Sequence, residues 1–482
     1  MTAIRLSLFK LPKAMRHTII YGFSIAFMKG ISLIMLPFIA NHMPAAEFGR
    51  LELLSSIALI GSVVIGMGLE QTLFRFAGTT NDPILRKELA ASIFGITLLI
   101  GCCSIIISIL SYEKIAQLLA GDIESYDVLL ILSVLSLEGC IAIPLGWMRM
   151  NDKVMPFFCA TTGRALLHAI FTIIFILSGR GISGILEAGL IAAVIQSVFL
   201  FYHHIKTAGL SLNLRTTKKT LIYSIPIVGS GLVAFALNGF DRWVLADNVS
   251  LADIAQYGVA AKFSLAVVLL LQPFTMWWNP KRFQVLSQPN GKDNIAKYVS
   301  IGTTLLLIIT SLICITSPLI IELWLPQAYW NATSYLLGIA LAMFFKEMCE
   351  LYNIGCFASN NTHAQLVINI IGSVTGIVMM LSLSTIHFVW GIIYALIIAH
   401  AIRFVLFYLV SQRITLIQYP HVKLMIFSIF CITTVAFGLD IEGTLNRLTY
   451  ITFTMLAQIY AATRIGIIPL ITKEKEEKTT CV

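Results

Sequence analysis

The chain has 482 residues, of which 58% are hydrophobic and only 12% are charged, and its mean hydropathy is +0.87. Soluble globular proteins carry roughly 25% charged residues, so this composition cannot cover a surface that faces water. It excludes a soluble domain and predicts an all-α polytopic membrane protein. The net charge of +9 fits lysines and arginines in cytoplasmic loops, and no nucleic-acid-binding pattern occurs.

In chain order, apolar runs long enough to cross a bilayer predict about fourteen transmembrane helices, since a helical span needs about 20 such residues. The predicted spans are 18–40, 51–74, 89–111, 127–148, 156–178, 183–203, 220–243, 252–278, 298–321, 333–356, 364–386, 389–410, 422–439 and 446–469. The basic N-terminus leads directly into the first full-length span, so we interpret it as a retained helix and not as a cleaved signal peptide.

The connecting loops are short, and even the longest, near 204–219 and 279–297, leave no room for an extramembrane catalytic domain. The chain contains no phosphate-binding G-x-x-x-x-G-K-[ST] motif, and its cysteines and histidines lack the spacing of a metal site. We therefore expect no cofactor, no metal and no enzymatic activity.

Lysine and arginine residues outside the spans concentrate on one side of the predicted membrane topology. Lys13, Arg86, Lys218 and Lys423 lie on that side, whereas the opposite side has few basic residues and an acidic loop at 113–127. Because basic loops stay in the cytoplasm, both termini are predicted to be cytoplasmic in the inner membrane of a bacterium.

Two segments share an unusual pattern and indicate an internal repeat. Residues 40–57 read ANHMPAAEFGRLELLSSI and residues 246–265 read ADNVSLADIAQYGVAAKFSL, each with an acid before an aromatic-Gly pair and then a new helix. The preceding stretches IIYGFSI and LIYSIPI also match. Two parallel six-helix copies are a recurrent transporter architecture. Chance similarity between apolar segments is the alternative.

The repeat predicts an N-terminal lobe over 1–215 with helices 1–6, a C-terminal lobe over 216–415 with helices 7–12, and two extra helices with a tail over 416–482. This layout resembles the multidrug/oligosaccharidyl-lipid/polysaccharide exporter superfamily. Within it, FDRWVLADNVSLADIAQYGVAAKFS is similar to the signature of Wzx-type polysaccharide-biosynthesis flippases, although Gln256-Tyr257-Gly258 departs from the expected Gly-x-Tyr order.

The resemblance implies a flippase that moves an undecaprenyl-pyrophosphate-linked oligosaccharide, such as an O-antigen repeat unit for lipopolysaccharide, between membrane leaflets by alternating access. The implied partners are this lipid-linked substrate, membrane lipids and glycan polymerase or other assembly proteins. A multidrug/cation antiporter of the same superfamily is an alternative, with a carboxylate-rich interior. A membrane glycan polymerase or ligase is another, but such enzymes usually carry a large outer loop.

Basic residues inside the predicted spans are candidates for binding the anionic headgroup, because an ionisable side chain in a bilayer is costly. Lys29 lies at the midpoint of the first span, about 16 Å from either end. It either attracts the pyrophosphate or makes a polar contact between helices. The resemblance gives Arg164 and Lys262 the same substrate-binding role, and structural pairing is the alternative for both.

Acidic residues suggest further sites. Lys346 and Glu350 lie four residues apart in span 10, so they form either a structural ion pair or a site for a coupling cation. Asp241 and Arg242 lie at the outer end of span 7, where they form a gate or simply fix the helix end. Adjacent residues on a helix do not face each other, so we expect separate partners for the two. Glu70, near the inner end of span 2, is predicted to be a boundary or gate residue.

Overall fold

The computed structural model describes residues 13–78, 80, 82–119, 121–358 and 363–467, and all of their regular structure is helical. The helices are α1 Lys13–His42, α2 Ala45–Gly66, α3 Leu69–Gly78, α4 Pro83–Gln117, α5 Ser125–Ser136, α6 Glu138–Met150, α7 Val154–Leu177, α8 Gly181–Thr207, α9 Leu214–Phe235, α10 Phe240–Ala246, α11 Leu251–Leu286, α12 Gly291–Trp324, α13 Ala332–Tyr352, α14 Ile354–Ala358, α15 His363–Ile414, α16 His421–Leu439 and α17 Thr444–Arg464. This confirms the all-α prediction.

Ten helical segments in the described residues are long and apolar enough to cross a membrane, which confirms a polytopic membrane protein. A bent pair, Thr216–Phe235 with Phe240–Ala246, would make an eleventh. Each of the fourteen predicted segments overlaps a helix, and two of them, 364–386 and 389–410, share α15. That helix breaks at Phe388, where φ is 51° and ψ is −125°. The count of fourteen spans stays a prediction.

Span 7 bends near Gly239 and not at Pro226. The two parts, α9 and α10, meet at 46° across residues 236–239. Gly239 is the last residue before α10 and lacks helical backbone angles, whereas Pro226 lies inside α9 without ending it. The break places Asp241 and Arg242 in the first turn of a short second helix.

The helices form two compact units, and each unit has its own apolar core. The first unit comprises Met1–Lys262, Trp324–Tyr335 and Asn369–Ala399, and its core includes Leu73, Phe94 and Trp147. The second comprises Phe263–Leu323, Leu336–Ile368 and His400–Val482, and its core includes Trp278, Val299 and Tyr352. The predicted domain boundaries at 215 and 415 stay a prediction.

Many large apolar side chains point away from both cores. On α4, Ile106, Ile107 and Leu110 have 58%, 62% and 76% of their surface exposed. Soluble monomeric proteins rarely expose apolar patches of this kind, whereas lipid chains can cover them in a membrane. The exposed apolar side chains are therefore expected to contact lipid.

Two glycines allow α2 and α11 to cross at close range in the first unit. A Cβ atom on Gly49 would overlap the main-chain carbonyl oxygen of Leu251, and one on Gly258 would overlap the side chain of Glu52. These are the glycines of the two aromatic-Gly pairs that the repeat aligns. The absence of a side chain at both positions brings the start of α11 directly against α2.

We expect Gly49→Ala to destabilise the protein by about 3 kcal/mol, the upper part of the usual range for overpacking a tight contact, because the backbone of Leu251 would have to move. Thermal unfolding in detergent measures the effect. Gly163→Ala is the matched control, since nothing lies within 4 Å of a Cβ atom at that glycine. Equal unfolding temperatures for the two variants would show that the crossing is not tight.

Candidate functional site

A buried cluster of charges links α2 to α10 and α11 in the first unit. Glu52 of α2 accepts hydrogen bonds from Lys262 Nζ on one carboxylate oxygen and from Arg242 Nε on the other, the latter at 3.4 Å. The Glu52 side chain is 3% exposed. Arg242 Nη1 lies 3.1 Å from both carboxylate oxygens of Asp241. We refer to Glu52, Asp241, Arg242, Tyr257 and Lys262 as the Glu52 cluster.

The aromatic residues of the two aromatic-Gly pairs contact the cations of this cluster. The Tyr257 hydroxyl donates a hydrogen bond to Asp241 Oδ2, and the Arg242 guanidinium lies 5.7 Å from the centre of the Tyr257 ring. Lys262 Nζ lies 4.5 Å from the centre of the Phe48 ring. Ring faces attract cations, so these contacts add to the stabilisation by the carboxylates.

The sequence predicts a separate partner for each of Asp241 and Arg242, and the structure adds a contact between the two residues. Adjacent Cβ atoms diverge on a helix, yet the Arg242 guanidinium folds back onto the Asp241 carboxylate. The long arginine side chain reaches across the first turn of α10, which starts afresh after the break at Gly239. Each residue also has a partner of its own, Tyr257 for Asp241 and Glu52 for Arg242.

The Glu52 cluster is charge-balanced, with two carboxylates and two cations. Burying single charges costs several kcal/mol each, and mutual pairing with additional hydrogen bonds offsets that cost. Loss of one member leaves its partner buried without compensation. The cluster therefore stabilises the contact of α2 with α10 and α11 only while all its members are in place.

Two of the three predicted headgroup-binding cations, Lys262 and Arg164, have protein partners. Lys262 pairs with Glu52, and Arg164 Nη1 donates to Gln196 Oε1 at 3.2 Å with the Glu138 carboxylate nearby. Lys29 is exposed on α1 and makes no ion pair with any residue that the structure describes. It lies about 20 Å from the nearer end of its helix, at 1.5 Å per residue. All three roles stay predictions.

Glu70 lines a cavity of about 240 Å³ in the first unit. A second carboxylate, Glu138, lines the same cavity together with Thr97 and Gly231. Glu70 forms an ion pair with Arg149, and its side chain is 28% exposed. Both carboxylates thus have an arginine nearby, Arg149 for Glu70 and Arg164 for Glu138.

In the second unit, Glu350 belongs to a larger polar group than the predicted pair with Lys346. Asn353 Nδ2 donates to Glu350 Oε2 at 3.2 Å, and Arg282 Nη1 donates to Asn353 Oδ1 at 2.9 Å. Burial lowers the pKa of Arg282, which lies beyond the apolar part of its helix, while Glu350 opposes that shift. Lys346 lies near the charges of Glu347 and Glu350. The two assignments of Lys346 and Glu350, a structural pair or a site for a coupling cation, stay predictions.

Sequence reasoning missed Glu52 and Glu138, for different reasons. Glu52 stands at the edge of the predicted span 51–74 and therefore looks like a residue in contact with water, although its side chain is buried. A signal was present, since Glu52 follows Gly49 of the aligned aromatic-Gly pair by less than one helical turn. Glu138 lies in the middle of predicted span 127–148, so its depth alone marked it as a candidate.

Residues 14–281, more than half of the chain, match a sequence family described as polysaccharide biosynthesis protein. The chain belongs to this family. No curated protein sequence matches it significantly. Membership agrees with the resemblance that residues 240–264 and the repeat indicated.

Solved structures with similar folds are transporters and flippases. The lipid II flippase MurJ, in an inward closed conformation, is 14% identical with a TM-score of 0.73, and the match covers 92% of this chain and 99% of that chain. An inward-facing multidrug resistance transporter of the MATE family is 15% identical with a TM-score of 0.60, covering 80% and 97%. A transporter from Pyrococcus furiosus is 14% identical with a TM-score of 0.52, covering 82% and 94%.

These structures share the fold of the MOP superfamily, the superfamily that the sequence predicted for this polysaccharide biosynthesis family member. The similar structures are named as a lipid II flippase and a multidrug resistance transporter, and the sequence family that matches this chain is described as polysaccharide biosynthesis protein. At such low identity the structures establish the fold and leave the substrate to be argued from this chain's own residues.

Proposed function

We propose that this protein is a flippase that moves an undecaprenyl-pyrophosphate-linked oligosaccharide, such as an O-antigen repeat unit, from the inner to the outer leaflet of a bacterial inner membrane. Lys29 carries the proposal, as an exposed cation without an ion pair among the described residues, deep in an apolar helix. Membership of the polysaccharide biosynthesis family supports the substrate class.

A cation at this depth is useful to a flippase because its substrate is an anion. An unpaired ammonium group in a bilayer is costly, and that cost falls when a phosphate approaches. The attraction is strong in a medium of low dielectric constant. Lys29 thus favours entry of a pyrophosphate headgroup while the polyprenyl chain stays in lipid, and no covalent step is needed.

The Glu52 cluster is proposed as the gate on the outer side. Its members belong to both predicted repeats, Glu52 to the first and Asp241, Arg242 and Lys262 to the second. Separating α2 from α10 and α11 would break the pairs of Glu52, and the bend before α10 supplies a hinge. The same proposal places both termini in the cytoplasm and a glycan polymerase among the partners.

The antiporter of the same superfamily is the second candidate, and the cavity with Glu70 and Glu138 favours it. Two carboxylates beside one cavity of about 240 Å³ are the groups that a cationic drug or a coupling ion would need. However, Arg149 and Arg164 lie beside them and neutralise much of their charge. For that reason we prefer the flippase to the antiporter.

Deletion of the gene in its host tests the two functions against each other. A flippase predicts loss of surface glycan with accumulation of complete lipid-linked oligosaccharide on the inner leaflet, measured by extraction and fractionation of the lipid pool. Normal surface glycan together with reduced efflux of cationic dyes would contradict the flippase and support the antiporter.

A further inference from the structure

A second cavity, of about 450 Å³, lies in the first unit away from the groups described above. Three segments form it, namely the turn between α10 and α11, the start of α13 and the break within α15. All three segments fall on the side of the membrane that the charge distribution predicts to be external. The volume is within the range of about 300–1,000 Å³ that is usual for small-molecule sites.

One wall of this cavity is aromatic. The rings of Tyr335 and Trp390 meet edge to face with centroids 6.0 Å apart, and Trp390 also contacts Tyr394 at 5.6 Å. His387 meets Tyr394 at 6.1 Å. Ring contacts of this kind are favourable and stabilise this arrangement of the wall.

A second part of the cavity lining offers hydrogen-bond acceptors. Ser250 Oγ donates to Asp253 Oδ2 at 2.6 Å, and Asn248 Nδ2 donates to the Val244 carbonyl oxygen at 2.7 Å. Asp253 Oδ1 and Asn248 Oδ1 accept no hydrogen bond from any residue in the described part of the chain. These two oxygens can therefore accept hydrogen bonds from the hydroxyl groups of a ligand.

The backbone at the cavity is strained. Phe388, beside Trp390, has φ 51°, in the left-handed region that a bulky residue rarely occupies, and its side chain is 56% exposed. Val389 is 3% exposed and fixes the chain directly after it. Such strain persists where surrounding packing enforces it, and it is common at binding sites.

We propose that this cavity binds a sugar residue of the transported glycan on the outer side of the membrane. A sugar ring has apolar C–H faces that stack on aromatic rings and a rim of hydroxyl groups that donate to carboxylate and amide oxygens, and the two parts of the lining match these two features. No lysine or arginine of the described chain lines the cavity, so it does not suit a phosphate. The inference rests on the proposed flippase function for the identity of the glycan.

The direct test is equilibrium binding of the free oligosaccharide, released from the host's lipid carrier by mild acid, to the full-length protein in detergent. Saturable binding is expected, and Trp390→Ala should weaken it about two- to tenfold, since an aromatic contact contributes about 0.5–1.5 kcal/mol. Asp253→Asn keeps the shape of the side chain and should weaken binding by about tenfold or more, because hydrogen bonds to charged groups contribute about 1.5–3 kcal/mol.

Trp324→Ala is the matched control, since this tryptophan is 56% exposed and does not line the cavity. Absence of binding to the folded wild type, or equal binding by Asp253→Asn and the wild type, would overturn the proposal and indicate that the aromatic rings only anchor the protein at the membrane interface. Failure of the flippase function would appear separately, as normal surface glycan in the deletion strain.

Discussion

Lys29→Ala is expected to reduce transport of the lipid-linked oligosaccharide by roughly 100-fold, in line with the loss of about 2–5 kcal/mol when one charge of a desolvated pair is removed. The variant should be produced at normal levels, because Lys29 has no ion pair with a described residue and its loss leaves no charge uncompensated. Restoration of surface glycan in the deletion strain measures the effect.

Two further variants separate charge from packing on α1. Lys29→Arg keeps the positive charge and should retain part of the transport. Ile34→Ala removes a side chain that is 71% exposed on the same helix and should transport like the wild type. Wild-type transport by Lys29→Ala would contradict the headgroup role and assign Lys29 to helix packing.

Glu52→Gln is expected to destabilise the protein by about 3–5 kcal/mol, because Arg242 and Lys262 would keep their charges in a buried cluster without the shared carboxylate. Thermal unfolding in detergent measures this change. Glu70→Gln is the matched control, since the pair of Glu70 with Arg149 is more exposed and such pairs contribute about 0–1 kcal/mol.

A double variant distinguishes the pairing of Glu52 from a general effect of the substitution. Lys262→Met removes the second charge and should recover part of the stability lost in Glu52→Gln, giving a coupling energy of about 0.5–3 kcal/mol between the two sites. Losses that simply add would show that Glu52 and Lys262 do not stabilise each other. Transport by the variants that remain folded then tests whether the Glu52 cluster acts as the outer gate.

The all-helical membrane fold was predictable because the thickness and apolar interior of the bilayer fix the length and the composition of each span. Segments such as 89–111 and 183–203 fall inside single helices, α4 and α8. Breaks were harder to place. Pro226 is tolerated within α9, whereas the bend occurs around Gly239, and α15 breaks at Phe388 without a proline or glycine at that position.

The candidate site was only partly predictable, because its contacts join residues far apart in the chain. The sequence singled out Asp241, Arg242 and Lys262, but their common acid, Glu52, lies about 190 positions before Arg242 and at the edge of a predicted span. The aligned glycines, Gly49 and Gly258, were visible as a repeat. That they permit the crossing on which this cluster depends required the geometry.

The most direct test of the flippase function is reconstitution of the purified protein in liposomes that contain lipid-linked oligosaccharide from the host. A membrane-impermeant lectin or periodate then measures the fraction of sugar in the outer leaflet over time. We expect rapid exchange with the wild-type protein and exchange near that of empty liposomes with Lys29→Ala. Equal, slow exchange in wild-type and empty liposomes, while cationic dyes cross only in the presence of the wild type, would contradict the flippase function.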